Sequence, residues 1–422
     1  MEENKTAYLY IILVSLLFIY TFPVSLELLD NDVFYHLLVA RQMIDSGSLY
    51  FFHQPLFNHP SGLMHYYPPL FHWILALSSL VTGLEKGALF LKLLFYPLAL
   101  LSFYVLVSST LDKKTALFSL IVLSTFFPFS ARTHMAIPEA LQYILIPLVL
   151  LSYLHGKEKI CGFLLFLALI NHLYDSLMLA VVLLAHWYLH RRKTYRMRDT
   201  LLVAVPGLIF QFYGIYGHLT VFQLGVDGGY LLEGITLALA SVSIPFLLCF
   251  WFILRRLLSP GNSIYLLWFM SAIPVLFRLP GRFPAYIAMP LAVIAAVSLM
   301  DSRKLVEKKG IYLLVVLSLL VLNLVFSTLF YPHIYDYYKQ GIDSQEEKAL
   351  SWIKGNISLN DVVSVGDGRS FYEGYKVAYY GGHRTTESWN RSRYLYTLSE
   401  VEDDNWSLAV KYGRYRIYQR TI

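Results

Sequence analysis

The chain has 422 residues, 57% of them hydrophobic and only 15% charged, which is more apolar sequence than a soluble core has use for. That balance excludes disordered and ordinary soluble enzyme classes and points to a polytopic helical membrane protein, because lipid offers no partner to an open sheet edge. The net charge of +6 marks no nucleic-acid partner: the basic residues fall in short clusters between apolar runs, where they set topology.

The first apolar run, near residues 8 to 29, is long and lacks a small-residue cleavage pattern, so it is expected to stay as an anchor. Where it leaves the membrane stand Asp30 and Asp32, at the head of a helical segment continuing to Gly47. A carboxylate at the mouth of a bilayer is costly to desolvate and faces a wet cavity, a cation or a substrate. The plainer alternative is a solvated loop residue. Asp32 begins the helix, where the positive end of the dipole favours an anion. His36 lies one turn on, placed either to hold a phosphate or acceptor hydroxyl or to make an interfacial hydrogen bond.

Spans are expected near residues 87 to 110, 115 to 130, 139 to 154, 160 to 174, 176 to 189, 200 to 216, 232 to 254, 262 to 277, 284 to 300 and 311 to 329, about eleven with the first. The apolar piece Pro68 to Gly83 is read as re-entrant or interfacial. Counting it as a span would put the basic clusters at Lys113, His155 to Lys159, Arg191 to Arg198, Arg255 and Arg303 to Lys309 outside, against the charge rule. The N-terminus is then cytoplasmic, and the first loop (30–86), the short loops near Arg132, His172, Asp227 and Arg278, and the tail are extracytoplasmic. Residues 1–330 form a transmembrane catalytic domain, and residues 331–422 a small extracytoplasmic α/β domain. In that domain Ser344 to Lys354 reads as a helix, and Asp361 to Gly366 and Lys376 to Tyr380 as strands. The patterns Asn356-Ile-Ser358, Asn390-Arg-Ser392 and Asn405-Trp-Ser407 are glycosylation acceptors on the same face, although such tripeptides also arise by chance.

Glu139 follows Pro138 in the first turn of a helix, a favourable place for an anion with or without function. Arg278 and Arg282 flank a Pro-Gly break at the outer end of a span, where two guanidinium groups either grip a phosphate or snorkel to headgroups. His172 and Asp175, three apart, share a helix face and either ligate a cation or link helices by a hydrogen bond. Cys161 and Cys249 sit inside apolar runs and imply neither disulfide nor metal. No glycine-rich phosphate loop or zinc pattern occurs, which disfavours a soluble nucleotide-sugar donor.

The segment Asp32-Val-Phe-Tyr-His36 through Ala40-Arg41 resembles the first-loop motif of the GT-C superfamily of integral membrane glycosyltransferases, with the clearest similarity to the oligosaccharyltransferase catalytic subunit and its archaeal relatives. Tyr66-Tyr-Pro-Pro-Leu-Phe-His72 resembles the Pro-Pro-Leu segment of protein mannosyltransferases and aminoarabinose transferases. Ser130-Ala-Arg132 through Pro138-Glu139 resembles the second acidic motif, and Arg278 to Pro290 the late arginine segment that contacts a lipid-linked donor phosphate. The Trp-Trp-Asp-Tyr-Gly motif that reads the acceptor sequon is absent.

The resemblance implies an inverting transferase that moves a sugar from a polyprenyl phosphate to an acceptor (protein, lipid or glycan) on the outer face. Asp32 and Glu139 are then the catalytic carboxylates, and Arg282, Arg278, His36, Arg132 and Asp30 bind substrate. A Mg or Mn ion on Asp32, Glu139 and His172 is the cofactor expectation. Transfer of such a sugar needs a base for the acceptor hydroxyl and positive charge for the departing phosphate. The competing class is a transporter or flippase of lipid-linked sugars, which predicts inverted repeats and polar helices at the midplane. A third is a non-catalytic assembly subunit.

Overall fold

The computed structural model describes residues 31–49, 53–54, 63–64, 67–190, 195–221, 235, 263–278, 282–302, 310, 314–323, 325, 344–366, 376–381, 383–386, 392–397, 401 and 405–420. The expected span at 8 to 29, that at 232 to 254 except residue 235, and Asp30 lie outside them. The chain divides into two compact units, one of residues 1–26 with 92–336 and the other of 27–91 with 337–422.

In chain order the helices are α1 (Asn31–Ser46), α2 (Leu70–Thr82), α3 (Leu84–Thr110), α4 (Lys113–Ser124), α5 (Phe127–Thr133), α6 (Pro138–Leu154), α7 (Glu158–Leu169), α8 (Leu173–Leu189) and α9 (Met197–Val221), then α10 (Ser263–Ser271), α11 (Ile273–Arg278), α12 (Phe283–Ser302), α13 (Leu314–Asn323) and α14 (Ser344–Asn356). The strands are β1 (His53–Gln54), β2 (Leu63–Met64), β3 (Val362–Val365), β4 (Arg384–Thr386), β5 (Tyr394–Thr397), β6 (Trp406–Tyr412) and β7 (Tyr415–Arg420). The protein is thus mostly helical with a small C-terminal sheet. Among the described residues, α3 and α12 are long and apolar enough to cross a membrane, and the α4–α5 pair is a third if counted as one bent span.

The helical unit is built round α12, which is buried from Phe283 to Val297 and packs against α4, α5 and α10. A helix apolar on every side belongs in a core, and its small residues Ala285, Ala288, Ala292 and Ala295 let neighbours approach closely. α7 and α9 meet just as tightly: a Cβ added at Gly162 would stand 2.6 Å from the Thr200 carbonyl oxygen. Asp112 caps α4 by accepting from the Thr115 N–H at 2.9 Å.

The expected span at 115 to 130 is in fact broken, with α4 and α5 bent by 83°. Pro128 near the start of α5 supplies the reason, since proline has no N–H to donate to the turn before it. The break turns α5 aside and carries Arg132 to a buried position.

In the other unit the sheet order is β4-β3-β5-β7-β6, parallel between β3 and its two neighbours and antiparallel from β5 onward. Gly413, at φ +57°, makes the two-residue turn that joins β6 and β7. α14 lays Ala349, Leu350 and Ile353 on Val363, Val365, Tyr396 and Ile417, with Trp352 packed at the edge of that core. Glu346 is buried there, accepting from Lys376 Nζ at 2.9 and 3.0 Å and from the hydroxyl of Tyr396 at 3.2 Å.

The strand expected at Lys376 to Tyr380 is instead a π-helical turn, Val377–Gly381. Tertiary contacts override its β propensity. Lys376 is drawn to Glu346, while Tyr379 and Tyr380 pack on Phe34 of α1, with ring centroids 5.9 and 5.7 Å away. The same turn anchors α1 through Arg41, whose Nη1 donates to the Tyr379 carbonyl at 2.7 Å and whose guanidinium lies 4.2 Å from the Tyr379 ring centre. α2 has 13 residues, about 20 Å of helix at 1.5 Å per residue and short of the ~30 Å hydrocarbon core.

Candidate active site

In the helical unit the charged side chains gather where α5, α6, α8 and α12 come together. Ile137 is extended, Pro138 fixes the first helical φ of α6, and Glu139 therefore sits in its first turn. A polar lattice holds this turn. Asn171 Nδ2 donates to the Pro138 carbonyl at 2.8 Å and to Gln142 Oε1 at 2.9 Å, Gln142 Nε2 donates to Ser176 Oγ at 3.1 Å, and Ser176 Oγ donates to the His172 carbonyl at 2.5 Å.

On that frame the Glu139 carboxylate is gripped on both oxygens. Arg132 Nη2 closes on Oε2, and Arg282 Nη1 stands 2.5 Å from Oε1. The Tyr286 hydroxyl lies 3.5 Å and His172 Nε2 3.7 Å from Oε1. The other ring nitrogen of His172 is 2.9 Å from Asp175 Oδ2, a contact by distance rather than by hydrogen-bond geometry. The guanidinium groups thus meet a carboxylate in the interior, and pairing is the condition under which charges tolerate burial. Glu139, Arg132, His172 and Asp175 are almost wholly buried, while the Arg282 side chain is 21% exposed. Glu139, Arg132, His172 and Arg282, singled out separately in the sequence, are thus in one cluster.

An apolar cavity of about 560 Å³ runs beside this cluster, between α8 and the α10–α11 segment. Its walls include Leu177, Val181, Met270 and Pro274, and at one place Tyr286, the residue that touches Glu139. Leu177, Val181 and Met270 are also exposed, so the cavity opens at the surface of α8 and α10.

Asp32 belongs to the other unit, half-buried in the first turn of α1. One turn on, His36 is buried and shares a 2.9 Å hydrogen bond between its Nδ1 and Nε2 of His72 on α2. Tyr67 and Phe71 close edge-on around the His36 ring, with centroids at 5.0 and 5.3 Å. Burial pushes the His72 imidazole down from 6.5 to about 3, against a backbone hydrogen bond at Pro68 that raises it. The Arg278 side chain, like Asp30, lies outside the described residues.

Sequence reading missed Asn171, Gln142 and Tyr286, which look like ordinary span residues. It also passed over Lys92, 2% exposed on α3 and an electrostatic neighbour of His134. A lone lysine inside an apolar run of bilayer length was the available signal.

As arranged, the Glu139 cluster does not fit a divalent cation. Its carboxylate oxygens are already engaged by two guanidinium groups, which would repel an incoming cation. Among the described residues no three His, Cys, Asp or Glu side chains converge as a ligand set.

No family model and no curated protein matches the sequence. Solved structures do. The Archaeoglobus fulgidus oligosaccharyltransferase, in complex with Zn and sulfate, aligns over 88% of this chain at TM-score 0.65 and 13% identity. ArnT from Cupriavidus metallidurans, bound to undecaprenyl phosphate, aligns over 98% of both chains at TM-score 0.64 and 13% identity. The fold is that of the GT-C transferases. The chain spans 64% of the oligosaccharyltransferase's length, and at this identity the GT-C likeness concerns the fold alone. The archaeal protein AglB has also been solved with an inhibitory peptide and a dolichol-phosphate, at TM-score 0.64, 13% identity and 88% coverage of this chain against 66% of that one.

Proposed function

We propose that the protein is a membrane glycosyltransferase that moves a sugar from a polyprenyl phosphate to an acceptor hydroxyl on the extracytoplasmic side, with inversion at the anomeric carbon. Residues 1–330 then form a multi-pass domain of about eleven spans with the N-terminus cytoplasmic. Residues 331–422 form the extracytoplasmic domain. The observation that supports the reading is an apolar cavity open at the surface of α8 and α10, one wall of which is Tyr286, whose hydroxyl lies 3.5 Å from the carboxylate that Arg132 and Arg282 grip. A lipid-linked phosphate needs both, a path for its hydrocarbon and fixed positive charge for its head. The undecaprenyl phosphate bound to ArnT and the dolichol-phosphate bound to AglB support the same donor class.

In the reaction the acceptor oxygen attacks the anomeric carbon as the bond to the phosphate oxygen breaks. Asp32 takes the hydroxyl proton, and the bonding electrons leave on the phosphate, where Arg282 offsets the developing charge. Before the donor arrives Glu139 holds Arg132 and Arg282 in place, and His36 orients the acceptor side. Because the cluster does not fit a cation, no step is assigned to one.

The test is transfer of sugar from a polyprenyl phosphate donor by the full chain reconstituted in liposomes. Asp32→Asn keeps the volume and removes the base, and turnover is expected to fall by about two orders of magnitude. Arg282→Ala is expected to weaken donor binding as well as slow phosphate departure. Near-normal transfer by Asp32→Asn, or movement of lipid-linked sugar across the bilayer without transfer, would defeat the assignment.

A further inference from the structure

Three features of the arginine cluster belong together. One carboxylate, Glu139, occupies two guanidinium groups, Arg132 through Oε2 and Arg282 through Oε1. The two arginines differ in access: the Arg132 side chain is 3% exposed and that of Arg282 is 21%. Tyr286, whose hydroxyl lies 3.5 Å from Oε1, is also one wall of the apolar cavity. Arg282, the more accessible of the two arginines, thus carries a carboxylate on the oxygen nearest that wall residue.

The Glu139 carboxylate already sits on Arg282, so a phosphate that takes the same guanidinium either displaces that carboxylate or lies against it, anion beside anion. The cluster holds a second place for the carboxylate, because Oε1 lies only 3.7 Å from His172 Nε2, and Oε2 keeps its pairing with Arg132.

We propose that Glu139 is a placeholder: without donor its carboxylate occupies the seat on Arg282 that the donor phosphate takes, and binding exchanges one anion for the other. This rests on the reading that Arg282 receives a lipid-linked phosphate. Glu139 is then a positioning residue that keeps Arg282 aimed and satisfied in the empty state, and it weakens the binding of the phosphate that displaces it.

The sign of one substitution decides the matter. A carboxylate whose only service is to orient Arg282 would weaken phosphate binding when neutralised, whereas a competing carboxylate would strengthen it. Affinity for farnesyl phosphate is measured on the detergent-solubilised full chain, with farnesol as the uncharged control and thermal melting as the check on folding. Wild type is expected to bind farnesyl phosphate over farnesol, and Arg282→Ala to lose that preference. Glu139→Gln is expected to bind farnesyl phosphate at least about tenfold more tightly than wild type, with a larger ligand-induced rise in melting temperature. Asp175→Asn removes an equal charge that is not on Arg282 and is expected to tighten binding less.

Where Glu139→Gln does not fold, Glu139→Asp keeps the charge but withdraws it by one methylene, and is expected to move affinity in the same direction by less. Arg282-dependent binding that Glu139→Gln weakens or leaves unchanged overturns the placeholder and leaves the lipid-phosphate reading standing. So does equal tightening by Asp175→Asn, which would reduce the effect to net charge. Absence of farnesyl phosphate binding in wild type, or binding indifferent to Arg282→Ala, overturns both.

Discussion

His72 shows how one side chain fixes a local fold and a pH response together. Its ring is fully buried and hydrogen-bonded to His36 across 2.9 Å, and burial makes the charged form of His72 costly. The folded value of about 3 lies below the ordinary 6.5. Between those values the unfolded chain binds a proton that the folded chain refuses, and stability therefore falls as pH falls through that window. The slope from this group approaches about 1.4 kcal/mol per pH unit. Melting at pH 7.5 and pH 5 should show a loss for wild type that His72→Gln, which keeps a hydrogen-bonding partner for His36 without titrating, substantially reduces. Equal losses in both proteins would remove His72 as the source.

Between elements the contest is of close packing against backbone shape, and two glycines separate the terms. Gly162 of α7 faces the backbone of α9, and a Cβ there would stand 2.6 Å from the Thr200 oxygen and 2.8 Å from Val203 Cβ. Gly355 of α14 has nothing within 4 Å. Gly162→Ala should force the helices apart and cost about 1 to 3 kcal/mol, as overpacking does. Gly355→Ala should be neutral or gain up to about 1 kcal/mol by reducing the freedom of the unfolded chain. Thermal unfolding of the two variants should move in opposite directions, and a silent Gly162→Ala would mean that α7 and α9 do not hold this contact.

The same balance explains what was legible beforehand. The segments now forming α3, α6, α8 and α12 announced themselves by apolar length, and Glu139, Arg132, His172 and Arg282 by charge beside a span. The α4–α5 bend was hidden because hydropathy runs straight through Pro128. The π-helical turn was hidden because nothing local to Val377-Ala-Tyr-Tyr380 reports that Phe34, Arg41 and Glu346, all distant in sequence, will claim its residues. Nor does sequence show that Asn171 and Gln142 brace the first turn of α6.

At the scale of the whole chain, the division of residues assigns the proposed base and the proposed phosphate ligand to different units. Asp32 belongs with the C-terminal sheet, and Arg282 with the helical unit. The C-terminal residues are thus part of what supports Asp32: α1 is fastened to the turn at Tyr379 by the Arg41 hydrogen bond and ring contact, and by Phe34 against Tyr379 and Tyr380. Tyr380 in turn donates to Glu85 Oε1 at 3.3 Å. If Asp32 is the base, loosening this fastening should act on the chemical step and spare donor affinity, which resides with Arg282. Arg41→Ala removes both the 2.7 Å hydrogen bond and the guanidinium over the ring. Its expected signature is a fall in sugar transfer of about tenfold or more, the scale on which small misplacements of a catalytic group are felt, with farnesyl phosphate affinity within about twofold of wild type. Loss of phosphate affinity in Arg41→Ala without loss of turnover at saturating donor would show that α1 serves donor binding and that Asp32 is not positioned for the proton.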